Sequence, residues 1–106
     1  MKYDKLVRDK IPEITRKNCK IPITHFAGEK EYYEKLKEKL REEIDEFLQD
    51  NSIEELADLL EIIFSICDFK KVKHSELEKM RKEKAKKRGA FKKRIILDET
   101  KPWQKS

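Results

Sequence analysis

The chain has 106 residues, of which 46% are charged, and its formal net charge is +5 at pH 7. This length suits one domain with a modest core, and a content of only two Gly and three Pro favours helices over sheets. No signal peptide and no apolar run of membrane-spanning length are recognisable, so we expect a cytoplasmic protein that does not bind membranes. Cys19 and Cys67 lack metal-ligand spacing and are predicted to be free thiols.

The N-terminal residues predict a short helix that ends near Asn18. Asp9 is a suitable N-cap for it, and Pro12 is tolerated in a first turn. Lys5 and Arg8 precede this helix and are candidates to bind a phosphate, although surface charge explains them equally well. Residues 21–26 contain β-branched side chains in alternation, which predicts a short edge strand that pairs with residues 94–97.

Two helices, from about 29 to 49 and from about 53 to 69, are predicted to form a hairpin around the polar turn 49–52. The first has an apolar stripe at helical spacing, formed by Tyr33, Leu36, Leu40, Ile44 and Phe47. The second is apolar over more than half of its circumference. One chain of this size has few elements to cover such a helix. We therefore expect a homodimer or higher homo-oligomer, with an interface around Leu59, Ile62 and Ile66.

The register of this hairpin places acidic side chains opposite one another. If the turn is centred between Asp50 and Asn51, Glu46 faces Glu55 and Glu43 faces Asp58. The two pairs are offset by three residues, roughly 4.5 Å along a helix, and packed helix axes lie about 8–10 Å apart. These acids fall on or beside surfaces that should be buried, and buried carboxylates need a partner or a metal.

The pattern predicts that Glu43, Glu46, Glu55 and Asp58 bind a divalent cation, and Mg²⁺, or alternatively Mn²⁺, prefers such oxygen ligands. Two alternatives stay open. Ser52 and Glu55 have the spacing of a capping box, in which the Glu55 carboxylate bonds the Ser52 amide instead of a metal. The four acids are also compatible with a solvated helix surface.

The C-terminal third is strongly basic. A capping box from Ser75 to Glu78 predicts a helix from about 76 to 88, which Gly89 ends. Leu77 and Met80 define its inward side, and the same side continues at helical spacing through Arg81, Lys84 and Arg88. Residues 98–106 are predicted to be a loosely ordered tail.

Charge is segregated along the chain. Residues 29–61 carry thirteen acids and five bases, whereas residues 79–94 carry ten bases and one acid. Such asymmetry indicates either a segment that binds nucleic acid or an acidic metal site beside a basic clamp for phosphate.

Three stretches resemble the MazG-like and phosphoribosyl-ATP pyrophosphohydrolase-like family of all-α nucleoside triphosphate pyrophosphohydrolases. They are the acidic motif Glu42-Glu43-x-x-Glu46 followed by Glu55-x-x-Asp58, residues 5–13 (KLVRDKIPE), and the closing set Lys84, Arg88-Gly89 and Phe91. The chain departs from the family in two places. Ala90 stands where a second Gly is common, and the eight residues between Glu46 and Glu55 are fewer than in many members.

The resemblance implies one all-α domain over residues 1–106. Together with the residue pattern it predicts a mainly α antiparallel bundle of about four helices, to which the pattern of 21–26 and 94–97 adds a short β pairing. It implies Mg²⁺-dependent hydrolysis between the α and β phosphates, which yields a monophosphate and pyrophosphate and cleans the nucleotide pool. The catalytic candidates are Glu42, Glu43 and Glu46. The candidates that bind substrate are Lys5, Arg8, Lys84, Arg88 and Phe91.

Two other functions remain alternatives. One stays within the same enzyme class and is hydrolysis of phosphoribosyl-ATP. The other is a small basic helical module that binds nucleic acid through residues 79–94. Phe91 is the sole aromatic residue in that segment, so base stacking has little support, and the nucleic-acid alternative leaves the acids on the apolar sides of two helices unexplained.

Overall fold

The structure is a computed structural model that describes residues 3–104, and it is mainly helical. Within these residues there are four helices and no β-strand, which confirms the predicted mainly α fold class. No helix in this range combines the length and the apolar character needed to cross a lipid bilayer. The helices are α1 (Ile11–Lys17), α2 (Glu29–Asp50), α3 (Ile53–Phe69) and α4 (His74–Arg88).

The backbone divides into two compact units, of which one ends at His74 and the other begins at Ser75. The first unit contains α1, α2 and α3. The second contains α4 from its second residue onward and the segment that follows, in which residues 98–104 are exposed and have no regular secondary structure. The single domain over residues 1–106 stays a prediction, and positions 1, 2, 105 and 106 of that range lie outside the described residues.

Helices α2 and α3 pack against one another as an antiparallel hairpin. Asn51 ends α2 in the left-handed conformation, with φ 56°, and its amide donates to the Phe47 carbonyl at 2.7 Å. Asn tolerates this conformation better than most residues. Ser52 then caps α3, because its Oγ accepts the Glu54 amide at 3.2 Å. The hairpin and its turn are therefore where the sequence predicts them.

The core of the first unit lies between these two helices. Leu36 from α2 and Ile62 and Cys67 from α3 are buried, with exposed fractions of 2%, 8% and 7%. Away from the turn, the Tyr33 ring stacks on Phe69 with centroids 5.1 Å apart, which joins the start of α2 to the end of α3. Cys67 is a free thiol, as predicted.

Two predicted helix caps are wrong. Lys10, not Asp9, precedes α1, and no side chain caps that helix. Pro12 lies in its first turn and lacks an N–H, which leaves one donor fewer to cap. Helix α4 begins at His74, so Ser75 lies inside the helix, and the Glu78 carboxylate pairs with Arg81 instead.

The structure does not show the predicted β pairing. Residues 21–26 and 94–97 both lack regular secondary structure. Arg94 has φ 58°, in the left-handed region, which interrupts the extended conformation at the start of its segment. Pro22 removes one ladder donor from the other segment, and an isolated pair of strands is marginal in water.

Several large apolar side chains of the hairpin remain exposed. They include Leu48 at 69%, Ile53 at 77% and Leu60 at 49%. Ile62, by contrast, is buried within the chain, so the interface expected around Leu59, Ile62 and Ile66 cannot have Ile62 at its centre. Leu48 and Ile53 flank the turn of the hairpin, so part of the exposed apolar surface of this unit lies there.

Candidate metal site

Three carboxylates from α2 and α3 converge in the half of the hairpin that contains its turn. Glu43 projects from α2 two turns after Leu36, and Glu55 and Asp58 project from the first turns of α3. One oxygen from each of the three side chains lies within 4.8 Å of the other two. We call Glu43, Glu55 and Asp58 the acidic cluster.

Glu43 is the buried member of the acidic cluster, with an exposed fraction of 7%. Its Oε2 atom and the Oε2 atom of Glu55 are both buried, and among the described residues neither has a hydrogen-bond partner. A buried carboxylate oxygen without a partner is costly. Hard divalent cations such as Mg²⁺ and Mn²⁺ are bound by carboxylate oxygens, so this set of donors fits such an ion.

The electrostatics of the acidic cluster disfavour ionisation. The pKa of Glu43 is raised from 4.5 to about 7, chiefly by burial and in addition by the neighbouring carboxyl groups of Glu55, Glu46 and Asp58. Burial also raises the pKa of Glu55. A bound cation would oppose these effects, because it favours the charged form of each carboxylate.

The other two acids of the motif lie beside the cluster. Glu46 is half-buried and close enough to raise the pKa values of Glu43 and Glu55, but it is not one of the three residues whose oxygens converge. The Glu42 carboxylate accepts from Lys5 at 3.2 Å and lies 3.8 Å from the Lys39 ammonium. Three of the four predicted metal ligands, Glu43, Glu55 and Asp58, therefore come together. The catalytic candidate Glu42 instead forms ion pairs with Lys5 and Lys39.

The capping-box alternative for Glu55 is not formed. The Ser52 hydroxyl accepts from Glu54, and the Glu55 amide donates to the Ser52 carbonyl at 3.2 Å. One oxygen of the Glu55 carboxyl instead lies within 4.8 Å of oxygens of Glu43 and Asp58. Glu55 therefore lies with Glu43 and Asp58, and its role as a metal ligand stays a prediction.

Basic residues before α1 reach the two long helices. Arg8 Nη2 donates to Asp58 Oδ1 at 2.6 Å, and Lys5 Nζ donates to Glu42 Oε1. Sequence reasoning assigned both residues to phosphate and missed these ion pairs. Arg8 and Asp58 are 50 positions apart, so no local pattern could have indicated their contact.

The remaining substrate-binding candidates, Lys84, Arg88 and Phe91, belong to the second unit. All three are exposed, Phe91 almost completely. Within this unit Arg81, which the sequence places on the same side of α4, is paired with Glu78 and lowers the pKa of that carboxyl. Lys84 and Arg88 thus remain accessible to an anionic ligand.

Comparison of the chain with family models, with curated proteins and with solved structures finds no match.

Proposed function

We propose that this chain is a Mg²⁺-dependent nucleoside triphosphate pyrophosphohydrolase that also accepts Mn²⁺. The observation that carries the proposal is the convergence of Glu43, Glu55 and Asp58 around a buried Glu43 oxygen that has no hydrogen-bond partner among residues 3–104. The resemblance of three separate stretches to MazG-like enzymes supports the same reaction. The products are a nucleoside monophosphate and pyrophosphate.

The acidic cluster would hold the cation, and Glu46 is near enough to complete its surroundings. When bound, a divalent cation polarises phosphate oxygens and lowers the pKa of a coordinated water. Glu43 must lose its proton for this, so its raised pKa links metal binding to pH. A carboxylate from the motif Glu42, Glu43 and Glu46 would orient the attacking water toward the α phosphorus.

Basic side chains would bind the phosphate chain. Negative charge grows on the leaving pyrophosphate in the transition state, and preorganised cations stabilise it there. Arg8 donates to Asp58 of the acidic cluster. Lys84 and Arg88 are exposed and form no ion pair in the described part of the chain. Lys5 and the exposed ring of Phe91 complete the proposed substrate contacts.

We also propose that the functional form is a homodimer or a higher homo-oligomer. The hairpin exposes Leu48, Ile53 and Leu60, and exposed apolar area of this kind is what a second copy would cover. The interface would therefore include Leu48, Ile53 and Leu60, and the buried Ile62 would not be at its centre.

Pyrophosphate release from a panel of nucleotides, measured with and without Mg²⁺ or Mn²⁺, tests the proposed reaction. The panel contains ribonucleoside and deoxyribonucleoside triphosphates and phosphoribosyl-ATP, so that the two substrate classes are distinguished. Turnover in water labelled with heavy oxygen should place the label in the monophosphate. Label in the pyrophosphate would mean attack at the β phosphorus and a different reaction.

One observation favours a second candidate function, the binding of nucleic acid. Helix α4 has no buried residue, and residues 79–94 carry ten bases and one acid. Such a surface binds polyanions with an affinity that falls steeply with salt. If no nucleotide in the panel gives a product, and fluorescence anisotropy shows salt-dependent binding of oligonucleotides, this second function replaces the first.

A further inference from the structure

The segment before α1 contacts both helices that form the acidic cluster. Arg8 donates to Asp58 of α3, and Lys5 donates to Glu42 of α2. The Lys35 ammonium on α2 also donates to the Asp4 carbonyl at 2.8 Å. The N-terminal segment is therefore fixed across the hairpin by charged side chains, and Arg8 is held at the position where the acidic cluster meets solvent.

Among residues 3–104, Arg8 is the base that forms an ion pair with a member of the acidic cluster. Glu43 is more than nine-tenths buried, and its Oε2 has no partner among the residues described. Asp58, whose oxygen lies within 4.8 Å of those of Glu43 and Glu55, accepts the Arg8 guanidinium at 2.6 Å. The guanidinium thus compensates part of the mutual repulsion of the carboxylates.

A divalent cation bound by the same oxygens would lie close to this guanidinium and repel it. The Arg8 side chain is 58% exposed, so it can leave Asp58 without disturbing the packed core. The planar guanidinium then has its donors free, and these match the geometry of phosphate oxygens.

We propose that Arg8 is an exchangeable counter-ion: it neutralises Asp58 until a divalent cation displaces it, and it then binds the phosphate chain of the substrate. This inference rests on the proposed metal site. It makes Arg8 a competitor of the cation and a ligand of the anionic substrate, which distinguishes it from a residue that merely orients Asp58. An orienting residue would strengthen metal binding, whereas a competing residue weakens it.

Calorimetric titration of the full chain with Mn²⁺, in mildly alkaline buffer at low salt, tests the exchange. We expect Arg8→Gln to bind Mn²⁺ about tenfold more tightly than the natural chain, because the repulsion between the two cations is gone. The difference should shrink in about 0.5 M KCl, where exposed charges are screened within a few Å. Glu43→Gln should lose most of the affinity.

Arg16→Gln is the matched control, because Arg16 is an exposed arginine of α1 without an ion pair in the described part of the chain. It should bind Mn²⁺ as the natural chain does. Circular dichroism shows whether each variant keeps its helices. As a second measurement, thermal melts in EDTA should give a lower melting temperature for Arg8→Gln than for Arg16→Gln, since the acidic cluster has lost its counter-ion.

The outcomes distinguish the proposed displacement of Arg8 by the cation from the metal site itself. Tighter binding by Arg8→Gln, with loss of binding in Glu43→Gln, supports both. Unchanged or weaker binding by Arg8→Gln, with Glu43→Gln still impaired, overturns the exchange and leaves the metal site intact. Absence of Mn²⁺ binding in both the natural chain and Arg8→Gln overturns the metal site and the exchange together.

Discussion

Glu43 occupies a position on α2 where helical periodicity favours an apolar side chain. It follows the fully buried Leu36 by two turns and is itself 7% exposed. Burial of a carboxyl group without complete hydrogen bonding lowers stability, and perturbed acids of this kind concentrate at functional sites. The burial of Glu43 is therefore the residue-scale feature on which the proposed metal site depends.

The raised pKa of Glu43 predicts how stability depends on pH when no metal is bound. The folded chain holds the Glu43 proton up to about pH 7, whereas the unfolded chain releases it near 4.5. The stability that the protonated carboxyl contributes is thus complete below pH 4.5 and is lost as the pH rises through about 7. Melting temperatures measured in EDTA should fall across this window.

Glu43→Gln should remove most of that fall, because the amide does not titrate. Glu34→Gln, which changes an exposed acid on the same helix, should retain it. A melting temperature that rises through this window in the natural chain, or an unchanged slope in Glu43→Gln, would show that Glu43 is not held protonated by its surroundings.

Kinetics of single variants should separate the proposed metal ligands from the proposed basic substrate contacts. Asp58→Asn weakens one proposed metal ligand and should lower kcat by more than about 100-fold, since changes even beside metal ligands cost 10- to 100-fold. Lys84→Ala should mainly raise KM and leave Mn²⁺ affinity unchanged. Equal losses of kcat in both variants, or weaker Mn²⁺ binding in Lys84→Ala, would contradict these roles.

The sequence could predict part of this chemistry at the residue scale. Glu43, Glu55 and Asp58 converge as their spacing about a short turn indicates, because helix geometry determines which residues face one another. The ion pair between Arg8 and Asp58 could not be predicted, because its formation depends on the path of a segment without regular secondary structure.

At the scale of elements, the bounds of α2 and α3 agree closely with prediction because Asn51 and Ser52 are strong end signals. Asn51 adopts the left-handed conformation, and the Ser52 hydroxyl caps α3. The start of α4 depends on tertiary contacts instead. The His74 ring stacks on Phe64 at 4.1 Å and hydrogen-bonds Asp68, so the helix includes a residue that a local capping pattern would exclude.

Leu36 is the most buried side chain between α2 and α3, with an exposed fraction of 2%. Leu36→Ala should therefore lower the free energy of unfolding by about 2–5 kcal/mol. Ile23→Ala, at a side chain that is 96% exposed, should change it by less than about 0.5 kcal/mol. Urea unfolding followed by circular dichroism measures both, and similar effects of the two substitutions would mean that α2 does not pack on α3 through Leu36.

At the scale of the whole molecule, few apolar side chains are removed from solvent. Among residues 3–104 the buried apolar residues are Leu36, Ile62 and Cys67, while many larger apolar side chains are exposed. A chain of this size normally buries most of the surface that its unfolded form exposes. This imbalance is the physical reason to expect that a second copy covers the hairpin.

Sedimentation at tens of micromolar should therefore show a homodimer or a larger assembly. The double substitution of Ile53 and Leu60 by Glu places two charges on the exposed apolar surface and should shift the chain toward monomer, because unpaired charges at an interface oppose association. Ile23→Glu, at an exposed position outside the hairpin, is the control. A monomeric natural chain at these concentrations would remove the proposed assembly.

The sequence shows that acids and bases are segregated along the chain, but it does not show where the two groups lie in the folded protein. The acids of 29–61 gather on α2 and α3, whereas the bases of 79–94 occupy a separate compact unit. Composition alone cannot decide whether those bases bind the substrate of the acidic cluster or a nucleic acid. The answer depends on where the side chains of α4 lie in space. Hydrophobic periodicity cannot predict this for α4, because the helix has no buried residue.

The most direct test of the metal site is the melting temperature of the natural chain in EDTA and in saturating Mg²⁺ or Mn²⁺ above pH 7. A cation at about 100 times its dissociation constant stabilises the fold by about 2.7 kcal/mol, which raises the melting temperature of a small domain by roughly 10 °C. We expect such a rise in the natural chain and little change in Glu43→Gln. A melting temperature that neither metal raises in the natural chain would contradict the proposal that Glu43, Glu55 and Asp58 hold a cation.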